Sequence, residues 1–196
     1  MSATELFTDE RAVRGTSAPV MGMVLFVAGE AMFFAALFAA YFSSRAAAKV
    51  WPPAKIGTPE LPIPAVLTAT LVSSSVVLQV GIRAIRRGRV ATFERLLGLT
   101  ILLGLSFLAL QAYDYSQLTF GVKAGIYSSL FYVMTGLHMA HVIGGVVLLS
   151  VVAAQTLTGQ ISAARHEPFE AAAIYWHFVD IVWIGLFTVF YVAVSR

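Results

Sequence analysis

The stretch Tyr175–Tyr191, YWHFVDIVWIGLFTVFY, decides how the rest of the chain is read. Its apolar and aromatic content belongs to a membrane-crossing helix. Yet it carries His177 and Asp180, three residues apart and flanked by Trp176 and Trp183. Ionisable side chains are costly in hydrocarbon, so their presence there points by default to function. Such a pair can bind a metal, carry protons, hold a haem, or fasten one helix to another.

At about 100° per residue, Glu170, His177, Asp180 and Tyr191 fall within an arc of about 80°. The two tryptophans border that arc. A narrow polar stripe edged by large aromatics has to face protein, where its polar atoms can find partners. The stripe therefore speaks strongly for a specific helix–helix contact and only weakly for catalysis.

The whole chain matches that setting. Of its 196 residues, 59% are hydrophobic and 12% charged, and its mean hydropathy is +0.82. Soluble domains carry about twice that share of charge. There is no cysteine, which excludes disulfides, thiolate metal sites and cysteine nucleophiles. The net charge of +3 is scattered through loops, a pattern that suits anionic lipid headgroups and not nucleic acid. Five stretches are long and apolar enough to span: Val20–Phe42, Ile63–Ile85, Leu96–Tyr115, Tyr127–Leu157 and Ala171–Val194. All seven prolines lie in loops or at span edges, where a missing N–H does least harm. The expected fold is all-α: a single five-helix membrane domain over residues 20–196, behind a cytoplasmic tail of residues 1–19. The segment Trp51–Pro64 is expected as an irregular interfacial loop.

Orientation follows from the basic residues. The side holding the N-terminus and the second and fourth loops carries eight: Arg11, Arg14, Arg83, Arg86, Arg87, Arg89, Arg95 and Arg165. The other side carries five: Arg45, Lys49, Lys55, Lys123 and Arg196. The N-terminus is expected in the cytoplasm and the C-terminus outside.

Two further spans hold polar groups. Glu30 lies near mid-membrane in the first, where desolvation penalises a charged carboxylate; proton exchange and a neutral interhelical hydrogen bond are both open readings. In the fourth, GLHMAHVIGG sets His138 and His141 on one face, expected to meet one partner. A ridge of small residues, Gly136, Ala140 and Gly144, lies on another face and is expected to pack against a second helix. Three span histidines and two carboxylates are the ligand types of non-thiolate metal sites. The paired Glu-x-x-His motifs of a di-iron bundle and the His-Glu-x-x-His spacing of zinc proteases are both missing. An intramembrane metalloenzyme or a haem-binding anchor stays open as a different class of function.

Four stretches taken in order, LFVAGEAMFF, LQAYDYSQL, FYVMTGLHMAHVIGG and FEAAAIYWHFVDIVWIGLFTVFY, resemble the signatures of subunit III of haem-copper terminal oxidases. The resemblance runs from about Val20 to the C-terminus, and Trp176–Asp180 followed by Trp183 is its most specific part. It implies an all-helical accessory subunit of a proton-pumping cytochrome c oxidase, with no catalytic, cofactor-binding or metal-binding residue of its own. Haem and copper would reside in partner subunits. Subunit I would be the main contact, with subunit II, a small subunit IV, cytochrome c as donor and bound phospholipid also implied. The resemblance assigns buried, interhelical or lipid-associated places to Glu30, Gln111, Asp114, His138, His141, Glu170, Trp176, His177, Asp180 and Trp183. Mitochondrial forms have seven helices; the first two, one wall of a lipid-holding cleft, have no counterpart among these five. Short forms resemble bacterial ones, which implies the bacterial plasma membrane. Asp114 stands where glutamate is commoner, and Glu30 where quinol-oxidising relatives often carry aspartate. A quinol oxidase or nitric-oxide-reductase-associated subunit is the alternative within the family.

Overall fold

The computed structural model describes residues 17–53, 56, 61–161 and 166–193. Most of the expected N-terminal tail, residues 1–16, lies outside the described residues, as do Lys55, Arg165 and residues 194–196. Five helices are long and apolar enough to cross a membrane: α1 (Ala18–Ala47), α2 (Pro62–Arg86), α3 (Val90–Gln117), α4 (Ile126–Leu157) and α5 (Glu167–Phe187). A π-helical turn, Thr188–Val192, continues α5, and a single 3₁₀ turn, Val122–Ala124, precedes α4.

The helices outrun the apolar stretches that announce them. α3 begins at Val90, six residues before the expected Leu96, and takes Glu94 and Arg95 into its first turns. Charged residues at a helix end reach headgroups and water, so hydrophobicity marks the hydrocarbon and not the whole helix. α2 starts at Pro62, within the expected loop, and α1 and α5 also carry a proline in their first positions. The first turn has no use for that N–H, and the ring fixes a helical φ.

Between α2 and α3 the chain reverses in one tight turn. Gly88 sits at φ 71°, its N–H bonds to the Ile85 carbonyl at 2.9 Å, and the Arg89 N–H reaches the Ala84 carbonyl at 3.0 Å. Those two bonds close the end of α2, and only a residue without Cβ takes the left-handed position cheaply.

α5 is the centre of the bundle, packed against α1, α2 and α4 and reaching α3 through its tryptophans. It is the most buried helix, and Trp176, Trp183, Phe169 and Leu186 are fully enclosed. α1 is the opposite case: only Phe34 and Tyr41 are buried, and Leu25, Met32 and Phe42 point outward. In lipid, apolar side chains gain nothing by leaving the surface, so close backbone approach and hydrogen bonds decide the packing. The closest approaches are at Gly104 and Gly145, where an added Cβ would lie 2.7 Å from Cη2 and Cε3 of Trp176 respectively. The indole lies between α3 and α4 in a slot made by two missing side chains.

The expected ridge of Gly136, Ala140 and Gly144 does not pack on a second helix in this way. Gly136 is half-buried, and Ala140 and Gly144 are exposed. The single close neighbour of Gly144 is the Tyr175 hydroxyl, 3.2 Å from an added Cβ. The small residue that α4 uses is the next one, Gly145, turned about 100° further round the helix.

Candidate functional site: the polar seam of the bundle

Five side chains on α5 are met by α2 in sequence along its length. At one end the Glu170 carboxylate accepts from Arg86 Nη2 at 2.6 Å and Nε at 3.1 Å, with His166 Nε2 3.2 Å away. Nearly two turns deeper, the Trp176 indole N–H donates to Ser74 Oγ at 2.9 Å. His177 Nδ1 lies 2.8 Å from Ser75 Oγ, and the same hydroxyl donates to Asp180 Oδ2. Two turns beyond Trp176, the Trp183 indole N–H donates to Thr68 Oγ1 at 3.0 Å.

Ser75 is therefore the meeting point of the pair. Its hydroxyl donates to Asp180 Oδ2 and lies within hydrogen-bond distance of His177 Nδ1. His177 and Asp180 are joined through a third residue on a different helix, and the seam at this depth is a three-member unit.

The seam continues past α5 into α3. Gln111 Nε2 donates to Asp114 Oδ2 at 3.3 Å, and the Tyr191 hydroxyl approaches the same oxygen at 3.4 Å. At this end Tyr41 donates to the Val189 carbonyl at 3.2 Å and accepts from the Trp51 indole at 2.9 Å. Tyr127 donates to the Phe190 carbonyl at 3.4 Å. Two tyrosines, one from α1 and one from α4, thus supply donors to carbonyls of the π turn.

The two histidines of α4 meet different neighbours, against the expectation of one shared partner. His141 turns toward α1: Nε2 is 2.9 Å from Glu30 Oε2, and Phe34 packs edge-on at 5.0 Å. His138 is fully enclosed, stacked on Trp183 at 5.1 Å with Phe107 edge-on at 5.8 Å. Three residues on a helix differ by about 60° in direction, enough to point one ring at α1 and the other into the α3–α5 contact. His141 Nδ1 lies 2.7 Å from the Leu137 carbonyl, which can only accept, so that nitrogen carries a proton. Nε2 and the Glu30 carboxyl share the contact that joins α4 to α1. A buried polar group needs such a partner, and each of the two supplies it to the other.

These positions give no common ligand set. His138, His141 and His177 face three different surroundings, and among the described residues no group of three His, Asp or Glu side chains converges. Both nitrogens of His141 and Nδ1 of His177 are already engaged within the protein. Among the described residues the two ring nitrogens of His138 have no hydrogen-bond partner, but its neighbours are Trp183 and Phe107 and no second ligand stands beside it to complete a metal centre.

Sequence reading singled out the α5 members of the seam and missed their partners Thr68, Ser74 and Ser75. The signal was present: TATLVSSSVV, residues 68–77, is a run of hydroxyls inside an otherwise apolar span. Serine and threonine in a membrane helix can bond their own backbone, as Thr68 does to the Pro64 carbonyl at 2.8 Å, and so attract no notice.

Comparison with known proteins agrees along nearly the whole chain. The profile of the family described as Cytochrome c oxidase subunit III matches residues 6–195. The chain is 42% identical over 175 residues to Cytochrome c oxidase subunit 3 of Synechocystis sp., covering 88% of this chain and 74% of that one. The protein of the same name from Thermostichus vulcanus is 39% identical over 175 residues, covering 88% and 86%. That from Corynebacterium diphtheriae is 41% identical over 176 residues, covering 87% and 86%.

Proposed function

The chain belongs to the cytochrome c oxidase subunit III family, and from that premise we propose that it is a non-redox accessory subunit of a proton-pumping oxidase. In this reading cytochrome c donates electrons to the complex, haem and copper sit in partner subunits, and this chain holds and protects the catalytic subunit. The observation that carries the non-redox part is the engagement of the polar seam with itself. Glu30, His141, His177, Asp180 and Glu170 each have a partner on another helix, and among the described residues no three such groups converge on a common centre. Groups arranged in this way fasten helices.

The remaining parts of the proposal rest on the same picture. The apolar outer side of α1 suits either lipid or a partner helix, and the interface with subunit I is placed on the bundle's exposed apolar faces. An apolar crevice of about 330 Å³ between α1, α4 and α5, lined by Met23, Phe26, Val147, Leu148, Val151 and Tyr175, has the width and chemistry for an acyl chain. The membrane is proposed to be the bacterial plasma membrane, with the Arg83–Arg95 side in the cytoplasm.

Purification through a tag on this chain tests the proposal. Haem- and copper-bearing oxidase subunits should co-purify, and the complex should oxidise cytochrome c. The chain freed of its partners should show no Soret band. One equivalent of iron, copper or zinc on the isolated chain, lost on His177→Ala, would refute the non-redox reading.

A further inference from the structure

At the α2–α3 turn, Arg83, Arg87 and Arg89 line one crevice of about 240 Å³ together with Val80, Ala84 and Thr92. All three arginines are exposed, and none forms an ion pair with any described residue. Their neighbour Arg86 is different, since it is already held by Glu170. Three unneutralised guanidinium groups around one concavity repel each other unless an anion joins them. The backbone carrying them is fixed by the two hydrogen bonds that close α2 at Gly88.

The crevice also has an apolar extension. Val80, in its wall, continues into Val76 and Val72, and all three valines are exposed at four-residue spacing along α2. Eight residues of helix make a ridge of about 12 Å leading from the arginines toward the hydrocarbon. A soluble anion has no use for such a ridge. An anionic phospholipid uses both parts, with its phosphate among the guanidinium groups and an acyl chain against the valines.

We propose that the α2–α3 hairpin is a binding site for an anionic phospholipid, phosphate held by Arg83, Arg87 and Arg89 and one chain laid along Val80, Val76 and Val72. This site shares no residue with the polar seam or with the crevice between α1, α4 and α5.

The test uses the intact complex containing this chain, delipidated in detergent and titrated under native mass spectrometry. Phosphatidylglycerol should bind as a retained equivalent, phosphatidylcholine much more weakly, and inorganic phosphate should neither be retained nor displace the lipid. At about fivefold per arginine, the combined Arg83→Gln, Arg87→Gln and Arg89→Gln variant should weaken phosphatidylglycerol binding on the order of a hundredfold. Arg95→Gln, outside the crevice, should leave it unchanged. Phenylglyoxal labelling of the unaltered complex gives a readout independent of any variant's folding. Phosphatidylglycerol should protect Arg83, Arg87 and Arg89 and leave Arg95 reactive. Equal binding of the two lipids, or protection by inorganic phosphate alone, would overturn the lipid assignment. Arginines already unreactive in the lipid-free complex would mean that a protein partner covers them, and would overturn it too. Co-purification of the oxidase subunits is indifferent to these results, so this proposal and the family reading fail separately.

Discussion

A Cβ added to Gly145 would stand 2.7 Å from Cε3 of Trp176, while one added to Gly104 on the opposite helix would stand 2.7 Å from Cη2 of the same ring. The indole thus touches α4 on one edge and α3 on the other, and its N–H is held by Ser74 on α2. Four helices meet at one side chain. Gly104→Ala and Gly145→Ala should each destabilise the detergent-solubilised chain, by about 1–3 kcal/mol as for other overpacked cores. Gly98→Ala, where an added Cβ meets nothing within 4 Å, is the control and should be neutral or slightly stabilising. Thermal unfolding followed by tryptophan fluorescence measures all three, and an unaffected Gly145→Ala would mean that the slot is looser than described.

Ser75, His177 and Asp180 act as one unit, so their substitutions should not add. Interhelical hydrogen bonds in membranes contribute about 0.6 kcal/mol on average and up to about 1.7. Ser75→Ala removes the link for both partners and should weaken retention of the chain in the complex about as much as Asp180→Ala does. The double variant should be little worse than either single one. Oxidase purified from these variants should keep its haem spectrum and initial turnover, yet lose this chain sooner in detergent and inactivate earlier. A stoichiometric Asp180→Ala complex with no initial activity would instead show a catalytic role.

Arg86 and Glu170 have the shortest ion-pair distance of the seam, 2.6 Å, but the arginine side chain is 57% exposed. Exposed pairs contribute about 0–1 kcal/mol. Arg86→Gln is therefore expected to change stability far less than either glycine substitution, in spite of its better distance. A loss comparable to that of Gly145→Ala would place this end of the seam in a drier setting.

The basic-residue asymmetry sets a direct expectation for orientation. Because the chain has no cysteine, single ones report cleanly. Arg89→Cys and Lys123→Cys sit at opposite ends of the bundle, and both positions are exposed. In intact cells a membrane-impermeant thiol reagent should label the second and spare the first. The reverse pattern would invert the topology.

What could be read in advance, and what could not, divides along a physical line. The spans were legible because bilayer thickness imposes a length of apolar sequence that nothing else in a soluble chain requires. The α5 stripe was legible because charged and aromatic residues at helical spacing stand out from that background. Thr68, Ser74 and Ser75 did not, since small hydroxyls are tolerated in a span whether or not another helix needs them. The close-packing glycines were misplaced for a related reason. Gly136, Ala140 and Gly144 show the better spacing, yet what selects Gly145 and Gly104 is one large indole arriving from α5, and spacing on α4 carries no record of it. His138 and His141 divided between two neighbours because direction around a helix is set by degrees, and contact with a particular helix by assembly.

The central place of α5 has a consequence for how the molecule is made. α5 is the last of these five helices to be synthesised, and it supplies partners for Thr68, Ser74 and Ser75 on α2, the indole for the slot between α3 and α4, and carbonyls for Tyr41 and Tyr127. While it is still within the ribosome, the four earlier helices are in the membrane without those α5 partners. The α2–α3 hairpin and the Glu30–His141 contact between α4 and α1 need nothing from α5. The seam and the Trp176 slot wait for it. A chain arrested with α5 still inside the ribosome should stay open to membrane proteases. One lengthened by a linker that clears Val192 from the ribosome should become resistant.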